Sequence, residues 1–295
     1  ARPPAARAFF EENFAAHRVA DGSRGFLTGY FEPVVRGSRV QTATFRFPLH
    51  RRPADLVNLV DEAARAGVGA GLTHARRLPD GSTAPYATRA EIESGALDGQ
   101  GLEIAWLSDP VDRFFMQVQG SGRVQFDDGS TMRLGYDGKT GHPYTSIGRV
   151  LIDDGIMRAE DVTLQSLGAW LRANPERARD IMWRNQSYVF FRDMGAAGGP
   201  VGALGSKLTP GRSLAVDPRF HPLGLPVWVA SETLQMSGGK PFRRLMVAQD
   251  VGSAIKGPQR GDIYFGSGAA AGAKAGRTKH AGQFIVLLPR GAGPR

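Results

Sequence analysis

Five short strand-like runs, separated by glycine, proline and polar residues, constrain the fold of this chain more than any other feature of its sequence. They occupy residues 213–217, 226–230, 244–249, 262–265 and 283–288. Short strands at such spacing are typical of a β-barrel or a β-sandwich. The chain also has 39 Gly and 19 Pro in 295 residues, and so many turn formers indicate short strands elsewhere as well. We therefore expect a mainly β protein with a few helices.

The region before residue 194 mixes helices with strands. Helical periodicity predicts helices over residues 7–19 and 54–72. A short helix is expected after Thr88, because Glu91 three residues later completes the spacing of a capping box. Strand signals cover residues 112–138, with a hairpin turn at Asp128-Gly129.

Two more helices are predicted before the composition of the sequence changes to mostly glycine, alanine and proline. The first carries Leu164, Leu167 and Leu171 on one face, and the second begins at Asn174 with Pro175 in its first turn. The stretch GAAGGPVGALGSKLTPG follows and ends at Gly211. A domain boundary is therefore expected near residue 194.

Composition excludes several kinds of chemistry. There is no cysteine, so disulfides, thiolate nucleophiles and cysteine-ligated metals are ruled out. The six histidines lack the spacing of a zinc motif, so we predict neither a metal nor a cofactor. The net charge of +9 favours a polyanionic partner, but no nucleic-acid-binding motif is present and no nucleic acid is expected.

Three aspartates stand at the ends of predicted strands. Asp217 ends SLAV, Asp250 ends LMVAQ and Asp262 opens DIYFG, while Lys256 lies in the glycine-containing loop between the last two. Aspartates at strand ends are common turn formers, and a loop lysine is commonly solvated. The pattern alone leaves both a structural and a catalytic interpretation open.

Six ordered motifs resemble those of the membrane-bound lytic murein transglycosylase A family. They are GYFEP at 29–33, TRAEIESGAL at 88–97, VQGSG at 118–122, GKTGHPYTSIGRVLID at 138–153, YVFF at 188–191, and QDVGSAIKG followed by GDIYFG. The segment 213–290 also resembles the domain named for its three aspartates, here Asp217, Asp250 and Asp262. Two differences are visible: Arg260-Gly261 replaces a histidine and an aromatic residue that relatives often carry, and residues 54–80 look like an insertion.

The resemblance implies a fold of two domains. Residues 1–32 and 195–295 would form a double-psi β-barrel that carries the catalytic residues, and residues 33–194 would form an inserted β-rich domain that binds glycan. The implied reaction cleaves the β-1,4 bond between N-acetylmuramic acid and N-acetylglucosamine in peptidoglycan. The muramyl 6-hydroxyl replaces water, so the product ends in a 1,6-anhydro ring.

The resemblance also assigns roles to residues. Asp262 would be the catalytic acid, and its pKa must be raised by burial or by a neighbouring carboxylate if it is to be protonated. Asp250 and Asp217 would support it. Our own hypothesis is that the sugar contacts Thr28, Gln119, Gly120, Ser121 and Lys256.

Two other functions remain open at the level of sequence. A glycoside hydrolase would use Asp262 as acid and Asp250 or Glu32 as base. An expansin-like protein would bind carbohydrate through the same barrel without cleaving it.

The expected location follows partly from the sequence and partly from the resemblance. No apolar run approaches the ~20 residues of a membrane span, and the first residues lack the layout of a signal peptide. The chain is therefore expected to be cytosolic or to have lost an export signal. The resemblance favours a periplasmic monomer on peptidoglycan strands, with outer-membrane anchoring through a removed N-terminal segment as an option.

Overall fold

The computed structural model describes residues 3–19, 22, 25–59, 68, 71–196, 198–236 and 238–291. The chain divides into two compact units, each with its own core. Unit 1 comprises Ala1–Phe31 and Gly199–Arg295, and unit 2 is Glu32–Gly198. Unit 2 is thus inserted in the sequence of unit 1. The activities predicted for the two domains stay predictions.

Unit 1 is built around a closed β-barrel. Its elements are α1 (Pro3–Asn13), β1 (Phe14–Arg18), β2 (Gly25–Glu32), β12 (Ser213–Val216), β13 (Pro226–Gln235), β14 (Pro241–Val251), β15 (Arg260–Ser267), α7 (Gly268–Arg277) and β16 (Lys279–Pro289). The strand order is β1-β16-β13-β14-β12-β15-β2, and β16 pairs with β2 as well. Six strands therefore close on themselves, while β1 adds to the outside of β16.

The barrel interior explains why these segments are strands. Along β13, buried Val227 and Val229 alternate with the more exposed Trp228, which is the period of a strand with one face inward. All four residues of β12 are buried, because this strand lies between β14 and β15. Leu214 and Val216 of this strand form one apolar cluster with Met246 and Phe284.

Unit 2 combines two sheets with a group of helices. Its strands are β3 (Val34–Ser38), β4 (Phe47–His50), β5 (Leu56–Asn58), β6 (His74–Arg77), β7 (Thr83–Ala84), β8 (Glu103–Leu107), β9 (Ser121–Gln125), β10 (Thr131–Lys139) and β11 (Val189–Asp193). Six of them form a sheet in the order β11-β10-β9-β3-β8-β4, and β5, β6 and β7 form another. A parallel bridge between Arg51 and Phe191 links the end of β4 to β11.

The helices of unit 2 pack on two further apolar clusters. They are α2 (Arg89–Glu91), which continues into a π-helical turn (Ile92–Ala96), α3 (Pro110–Gln119), α4 (Ile147–Asp153), α5 (Leu164–Ala173) and α6 (Pro175–Trp183). Phe114, Leu151, Leu171 and Ile181 are buried between α3, α4, α5 and α6, whereas Ile92 of the π-helical turn belongs to the other cluster. No helix in the described part of the chain is long and apolar enough to cross a membrane.

The mainly β fold, with a barrel and an inserted β-rich part, is confirmed, as are several local predictions. The capping box at Thr88 is present, and the hairpin turns at Asp128-Gly129 between β9 and β10. The helices predicted around Leu164 and after Asn174 are α5 and α6. All five strand-like runs after residue 211 lie in strands, with Asp217 just beyond β12.

Three local predictions were wrong in part. The helix predicted over residues 7–19 ends at Asn13, because Phe14–Arg18 pair with β16 as a strand. Residues 56–58 are a strand instead of a helix, and much of the rest of the 54–72 prediction, residues 60–67 and 69–70, lies outside the described residues. Residues 112–119 belong to helix α3, which Asp109 caps and Pro110 begins, although their apolar residues had indicated a strand.

Candidate active site

The register of three neighbouring strands sets Asp250 and Asp262 in one row of the barrel. Strand β12 pairs with β15 on one side and with β14 on the other. Ala215 of β12 is the partner of Asp262 in the first pairing and of Asp250 in the second. Residues that are partners in register point to the same face of a sheet, and strands lie about 4.8 Å apart. The two aspartates therefore share a face, with their backbones roughly 9–10 Å apart.

Asp262 is held by a hydroxyl group whose orientation is fixed. The Thr28 hydroxyl donates to Oδ1 of Asp262 over 2.6 Å, and Nη2 of Arg260 donates to Thr28 Oγ1 over 2.8 Å. Because a guanidinium can only donate, the Thr28 oxygen must accept from Arg260 and direct its own hydrogen at Asp262. Among the described residues, Oδ2 of Asp262 has no hydrogen-bond partner.

Burial raises the pKa of Asp262 to about 6. Desolvation disfavours the charged carboxylate, and the charge of Asp250 acts in the same direction. The hydrogen bond from Thr28 and the charge of Arg260 oppose this rise because both stabilise the ionised form. Asp262 can therefore take up and release a proton close to neutral pH.

Asp250 lies in a different hydrogen-bond environment. Its carboxylate accepts hydrogen bonds from the Tyr30 hydroxyl at 2.9 Å, the Ala203 amide at 3.1 Å and the Val251 amide at 3.0 Å. Burial raises its pKa, and these three hydrogen bonds oppose the rise. The pKa of Tyr30 is raised well above its usual value by burial and by Asp250, so the phenol stays protonated and keeps donating. The ring of Tyr30 packs 5.3 Å from that of Tyr264.

Asp217 connects two turns of unit 1. It is fully buried, and it accepts hydrogen bonds from the Arg219 side chain, the shortest at 2.6 Å, and from the Gly257 amide at 2.9 Å. The Arg219 hydrogen bonds hold the pKa of Asp217 far below its usual range. This carboxylate is therefore ionised at any ordinary pH. Its hydrogen bond with the Gly257 amide stabilises the loop that carries Lys256.

The other predicted residues fall into two groups. Lys256 is exposed in the loop between β14 and β15, and buried Ile255 beside it anchors that loop. Gln119, Gly120 and Ser121 lie in unit 2, where α3 ends and β9 begins. Gly120 has φ 74 and caps the helix, so this position favours glycine.

Glu32, the alternative base, is buried in unit 2. It is 1% exposed and lies 3.6 Å from the Arg123 guanidinium and 3.9 Å from that of Arg133. Its charge is thus compensated within unit 2. Among the described residues no group of three His, Cys, Asp or Glu side chains is placed to hold a metal.

Two residues of this cluster were missed from the sequence. Arg260 had been noted only as a difference from relatives, yet it fixes the Thr28 hydroxyl. Tyr30 stands in the GYFEP motif, two residues after Thr28, and hence on the same face of β2. That alternation was the signal that could have pointed to it.

Family models match both parts of the chain. The MltA specific insert domain matches residues 26–192, more than half of the chain, and the 3D domain matches residues 212–288. Membrane-bound lytic murein transglycosylase A of Vibrio cholerae is 36% identical over 267 residues, and that of Escherichia coli K12 is 37% identical. Each alignment covers 88% of this chain, and the chain spans 64% and 65% of the length of these two relatives.

Solved structures agree with these matches. A membrane-bound lytic murein transglycosylase from Agrobacterium tumefaciens has a TM-score of 0.91 at 40% identity, covering 98% of this chain and 80% of that one. Escherichia coli MltA with bound chitohexaose has a TM-score of 0.77 at 32% identity, covering 96% and 78%. Sequence motifs, family models and fold therefore agree that the chain belongs to the membrane-bound lytic murein transglycosylase A family.

Proposed function

We propose that this protein cleaves the β-1,4 bond between N-acetylmuramic acid and N-acetylglucosamine in peptidoglycan and leaves 1,6-anhydromuramyl ends. The observation that carries the proposal is the Asp262 carboxyl group, whose pKa is raised to about 6 and whose Oδ1 is fixed by Thr28. A general acid works best when its pKa lies near the working pH. The names of the relatives support the same reaction.

In the first half of the reaction, Asp262 would be the proton donor. Thr28 occupies Oδ1, so Oδ2 is the oxygen that carries the proton towards the glycosidic oxygen. Protonation lets the sugar leave as an alcohol while positive charge develops at the muramyl anomeric carbon.

In the second half, the same carboxylate would act as the base. Asp262 is now ionised, and the Thr28 hydrogen bond and the Arg260 charge stabilise that form. It takes the proton of the muramyl 6-hydroxyl as this oxygen attacks the anomeric carbon. An intramolecular hydroxyl is already held beside its target, so no second carboxylate is required to activate water.

This division of labour gives Thr28 a different task from the predicted sugar contact. Its hydrogen is committed to Asp262 and its oxygen accepts from Arg260. We therefore assign Thr28 and Arg260 to positioning the acid. Gln119, Gly120, Ser121 and Lys256 keep their proposed contacts with the glycan.

The bonds of Asp250 favour a supporting role over that of a hydrolytic base. Three donors engage its oxygens, and one of them is a phenol that stays protonated. A water-activating carboxylate needs an oxygen directed at the water, whereas Asp250 is bound to its own surroundings. Glu32 is compensated by arginines. A glycoside hydrolase is therefore the second choice. An expansin-like binding protein would not require an aspartate with a raised pKa, so Asp262 does not favour that function.

The substrate and location follow from the same reaction. Peptidoglycan strands are the proposed partner and the periplasm the proposed compartment, with attachment to the outer membrane through a segment outside this chain. The Escherichia coli relative was described with bound chitohexaose, a β-1,4-linked oligosaccharide of N-acetylglucosamine, which supports a glycan-binding site of the same kind here. We propose that the enzyme acts as a monomer.

The decisive experiment is mass spectrometry of the products released from purified sacculi. Anhydro ends are one water lighter than hydrolysed ends, and a binding protein releases neither. We expect anhydro products from the wild type. The rate of Asp262→Asn should be lower by ~10²–10⁴-fold or more, while its glycan binding is retained.

The matched control is Asp153→Asn, the same substitution at an exposed aspartate on α4. It should cleave like the wild type. Ordinary reducing ends from the wild type would favour the hydrolase, and an Asp262→Asn variant with normal turnover would remove Asp262 from the mechanism.

A further inference from the structure

Phe26 of β2 and Arg260 of β15 form a small surface beside the candidate acid, within unit 1. Leu27 follows Phe26 and Ile263 follows Asp262, and both of these apolar residues are buried in the barrel core. Side chains alternate along a strand, so Phe26, Arg260 and Asp262 all point away from that core. The Phe26–Arg260 surface therefore lies on the same side of the barrel as the carboxyl group of Asp262.

Phe26 is an exposed aromatic residue at this position. It is 38% exposed, and its partner on β16 is Ala281, whose side chain is too small to cover a phenyl ring. The Phe26 amide donates to the Gln259 carbonyl over 2.8 Å, which fixes the backbone of Phe26 next to the start of β15. Single exposed apolar residues are common on protein surfaces, so exposure alone does not indicate a site. The guanidinium group beside the ring is the second observation.

Three contacts fix the guanidinium group of Arg260. Nη1 donates to the Gly261 carbonyl over 2.7 Å, and Nη2 donates to Thr28 Oγ1 over 2.8 Å. The central carbon of the group lies over the Phe26 ring, 5.1 Å from its centroid. A planar group that is already held in place loses little freedom when it forms further hydrogen bonds. Arg260 is thus prepared to bind an acceptor.

Arg260 also has unused hydrogen-bonding capacity. An arginine has five N–H groups, and three of those of Arg260, including the one on Nε, have no acceptor among the described residues. Nε is not buried, and the residue as a whole is partly exposed, so a ligand can reach it. Arg260 forms no ion pair with a described carboxylate, and the more distant charge of Asp262 is the one that acts on it.

An accessible aromatic ring next to fixed, unused donors fits a sugar that carries an acyl group. The C–H face of a pyranose can pack on the ring, while the carbonyl oxygen of the acyl group accepts hydrogen bonds from the guanidinium. Arg260 lies two residues before Asp262 on β15, hence about 6.6 Å away along the strand. This separation is comparable with the length of one pyranose ring, so the sugar would be next to the bond that Asp262 is proposed to cleave.

We infer that Phe26 and Arg260 form a subsite for one acylated sugar beside the cleaved bond. Phe26 is the stacking surface, and Arg260 donates to the acyl carbonyl while its Nη2 holds Thr28. The inference rests on the proposed function for the identity of the polymer. Two groups of peptidoglycan carry such a carbonyl: the acetamido group of both sugars and the lactyl group of the muramyl sugar. The test below distinguishes these two sources.

The test measures binding by titration calorimetry, with the full chain carrying Asp262→Asn so that the probes are not cleaved. The probes are three β-1,4 hexasaccharides: one of N-acetylglucosamine, one of glucose, and one that alternates N-acetylglucosamine with peptide-free N-acetylmuramic acid. Phe26→Leu should weaken binding of all three by roughly three- to tenfold, because stacking on the ring does not depend on the acyl groups. Phe26→Trp keeps an aromatic ring and should bind like the parent chain.

Arg260→Lys keeps the positive charge but removes the planar set of donors. The preference for the N-acetylglucosamine probe over the glucose probe should fall by roughly three- to tenfold, the range for one hydrogen bond, if the acetamido carbonyl is the acceptor. If the lactyl group is the acceptor, only the preference for the muramyl probe should fall. An equal loss of affinity for all three probes would overturn the inference, because Arg260 would then not recognise an acyl group.

Two matched controls make the same substitutions elsewhere in unit 1. Phe9→Leu changes an exposed phenylalanine of α1, which leads into β1, and β1 pairs with residues 285–289 of β16, whereas β2 pairs with residues 279–282. Arg243→Lys changes an exposed arginine of β14 that is ion-paired with Glu232. Neither should alter the affinity for any probe. Melting curves show whether each variant is folded. If Arg260→Lys does not fold, the Phe26 variants still decide, because unchanged binding in Phe26→Leu would also overturn the inference.

Kinetics on purified sacculi separate this subsite from the proposed reaction. In a chain that keeps Asp262, Phe26→Leu should raise KM by about the factor seen in binding and change kcat less, since the ring is expected to contact the substrate before and during the reaction alike. Products with ordinary reducing ends would refute the proposed reaction and leave the binding preferences standing. Anhydro products together with unchanged binding in Phe26→Leu would refute the subsite alone.

Discussion

The groups around Asp262 predict that two substitutions shift its pKa in opposite directions. Thr28→Val removes a hydrogen bond to the ionised carboxylate, so the pKa should rise. Asp250→Asn removes a negative charge on the same face of the sheet, so the pKa should fall. Because the reaction begins with protonated Asp262, the pKa sets where activity falls as the pH is raised.

The size of the first shift can be estimated from the bond that is lost. A hydrogen bond to a charged group contributes about 1.5–3 kcal/mol, and one pKa unit corresponds to about 1.36 kcal/mol. Asp262 is half-buried, so water replaces part of the lost bond and about one unit is expected. The shift for Asp250→Asn should be smaller, because Asp250 contributes less to the pKa of Asp262 than Thr28 does.

The measurement is the rate of anhydro-product formation from peptidoglycan, as kcat/KM between about pH 4 and pH 9. The alkaline limb should lie near pH 6 for the wild type, about one unit higher for Thr28→Val, and lower for Asp250→Asn. Thr233→Val is the control, since its hydroxyl contacts His280 on the same barrel. Shifts of the same sign in Thr28→Val and Asp250→Asn, or the Thr28→Val shift reproduced by Thr233→Val, would refute the reasoning.

Three further predictions follow from charge and burial. Melting curves should show Asp262→Asn to be more stable than the wild type at pH 8 but not at pH 4. The pKa of Asp262 is about 6 in the folded protein and 3.8 ordinarily, so the wild type loses stability as the pH rises between these two values. The loss should be about 1–2 kcal/mol, because the side chain is partly exposed. Asp217→Asn should melt a few degrees lower than the wild type at pH 7. Because the pKa of Asp217 is lowered in the folded protein, the stability it contributes is lost on acidification, and the difference in melting temperature should shrink below about pH 4. A difference that stayed constant with pH would contradict this. Binding to sacculi should weaken as salt is raised, given the net charge of +9, and salt-independent binding would count against a charge contribution.

Local signals predicted the parts of the fold that depend on a few neighbouring residues. The capping box at Thr88 and the turn at Asp128-Gly129 use fixed backbone geometry, so the sequence was sufficient. Helix α3 could have been found in the same way, because Asp109 and Pro110 form a helix start. Its apolar residues were given more weight than that start signal, and the prediction was wrong.

Features that depend on distant contacts could not be predicted. Phe14–Arg18 form a strand because β16, at the other end of the sequence, pairs with them. Helix α7 is mostly glycine and alanine, and it has no large apolar residue to mark its buried face. In the fold these small residues allow close packing, since a side chain at Gly29 would lie 2.8 Å from Cα of Ala275 and one at Gly272 the same distance from the Phe31 ring.

The candidate site was predictable to the same extent. The pattern of strand-end aspartates marked Asp217, Asp250 and Asp262, and the resemblance chose Asp262 among them as the acid. The hydrogen bonds that separate their environments come from Thr28, Tyr30 and Ala203, which lie between 47 and 234 residues away in the sequence. No local pattern reports such contacts.

A β-bulge is what brings the two aspartates to one face. In the pairing of β12 with β14, Leu214 lies opposite Ala248 and Ala215 opposite Asp250, so Gln249 is an extra residue. If the two strands paired without this bulge, Ala215 would lie opposite Gln249. Asp250 would then point to the other side of the sheet, because side chains alternate along a strand.

The bulge is held by the side chain of Gln249, which is hydrogen-bonded to Ser213 and Ser206, and by a neighbouring loop. The Gln249 carbonyl accepts a hydrogen bond from the Leu204 amide over 3.0 Å, and a side chain at Gly202 would lie only 2.3 Å from the same oxygen. Ala203, between these two residues, donates its amide to Asp250. The loop at 202–204 therefore fixes both the bulge and the carboxylate that the bulge reorients. Asp250 is one of the groups that raise the pKa of Asp262, after burial itself, so the loop at 202–204 contributes to the environment of the acid by fixing Asp250.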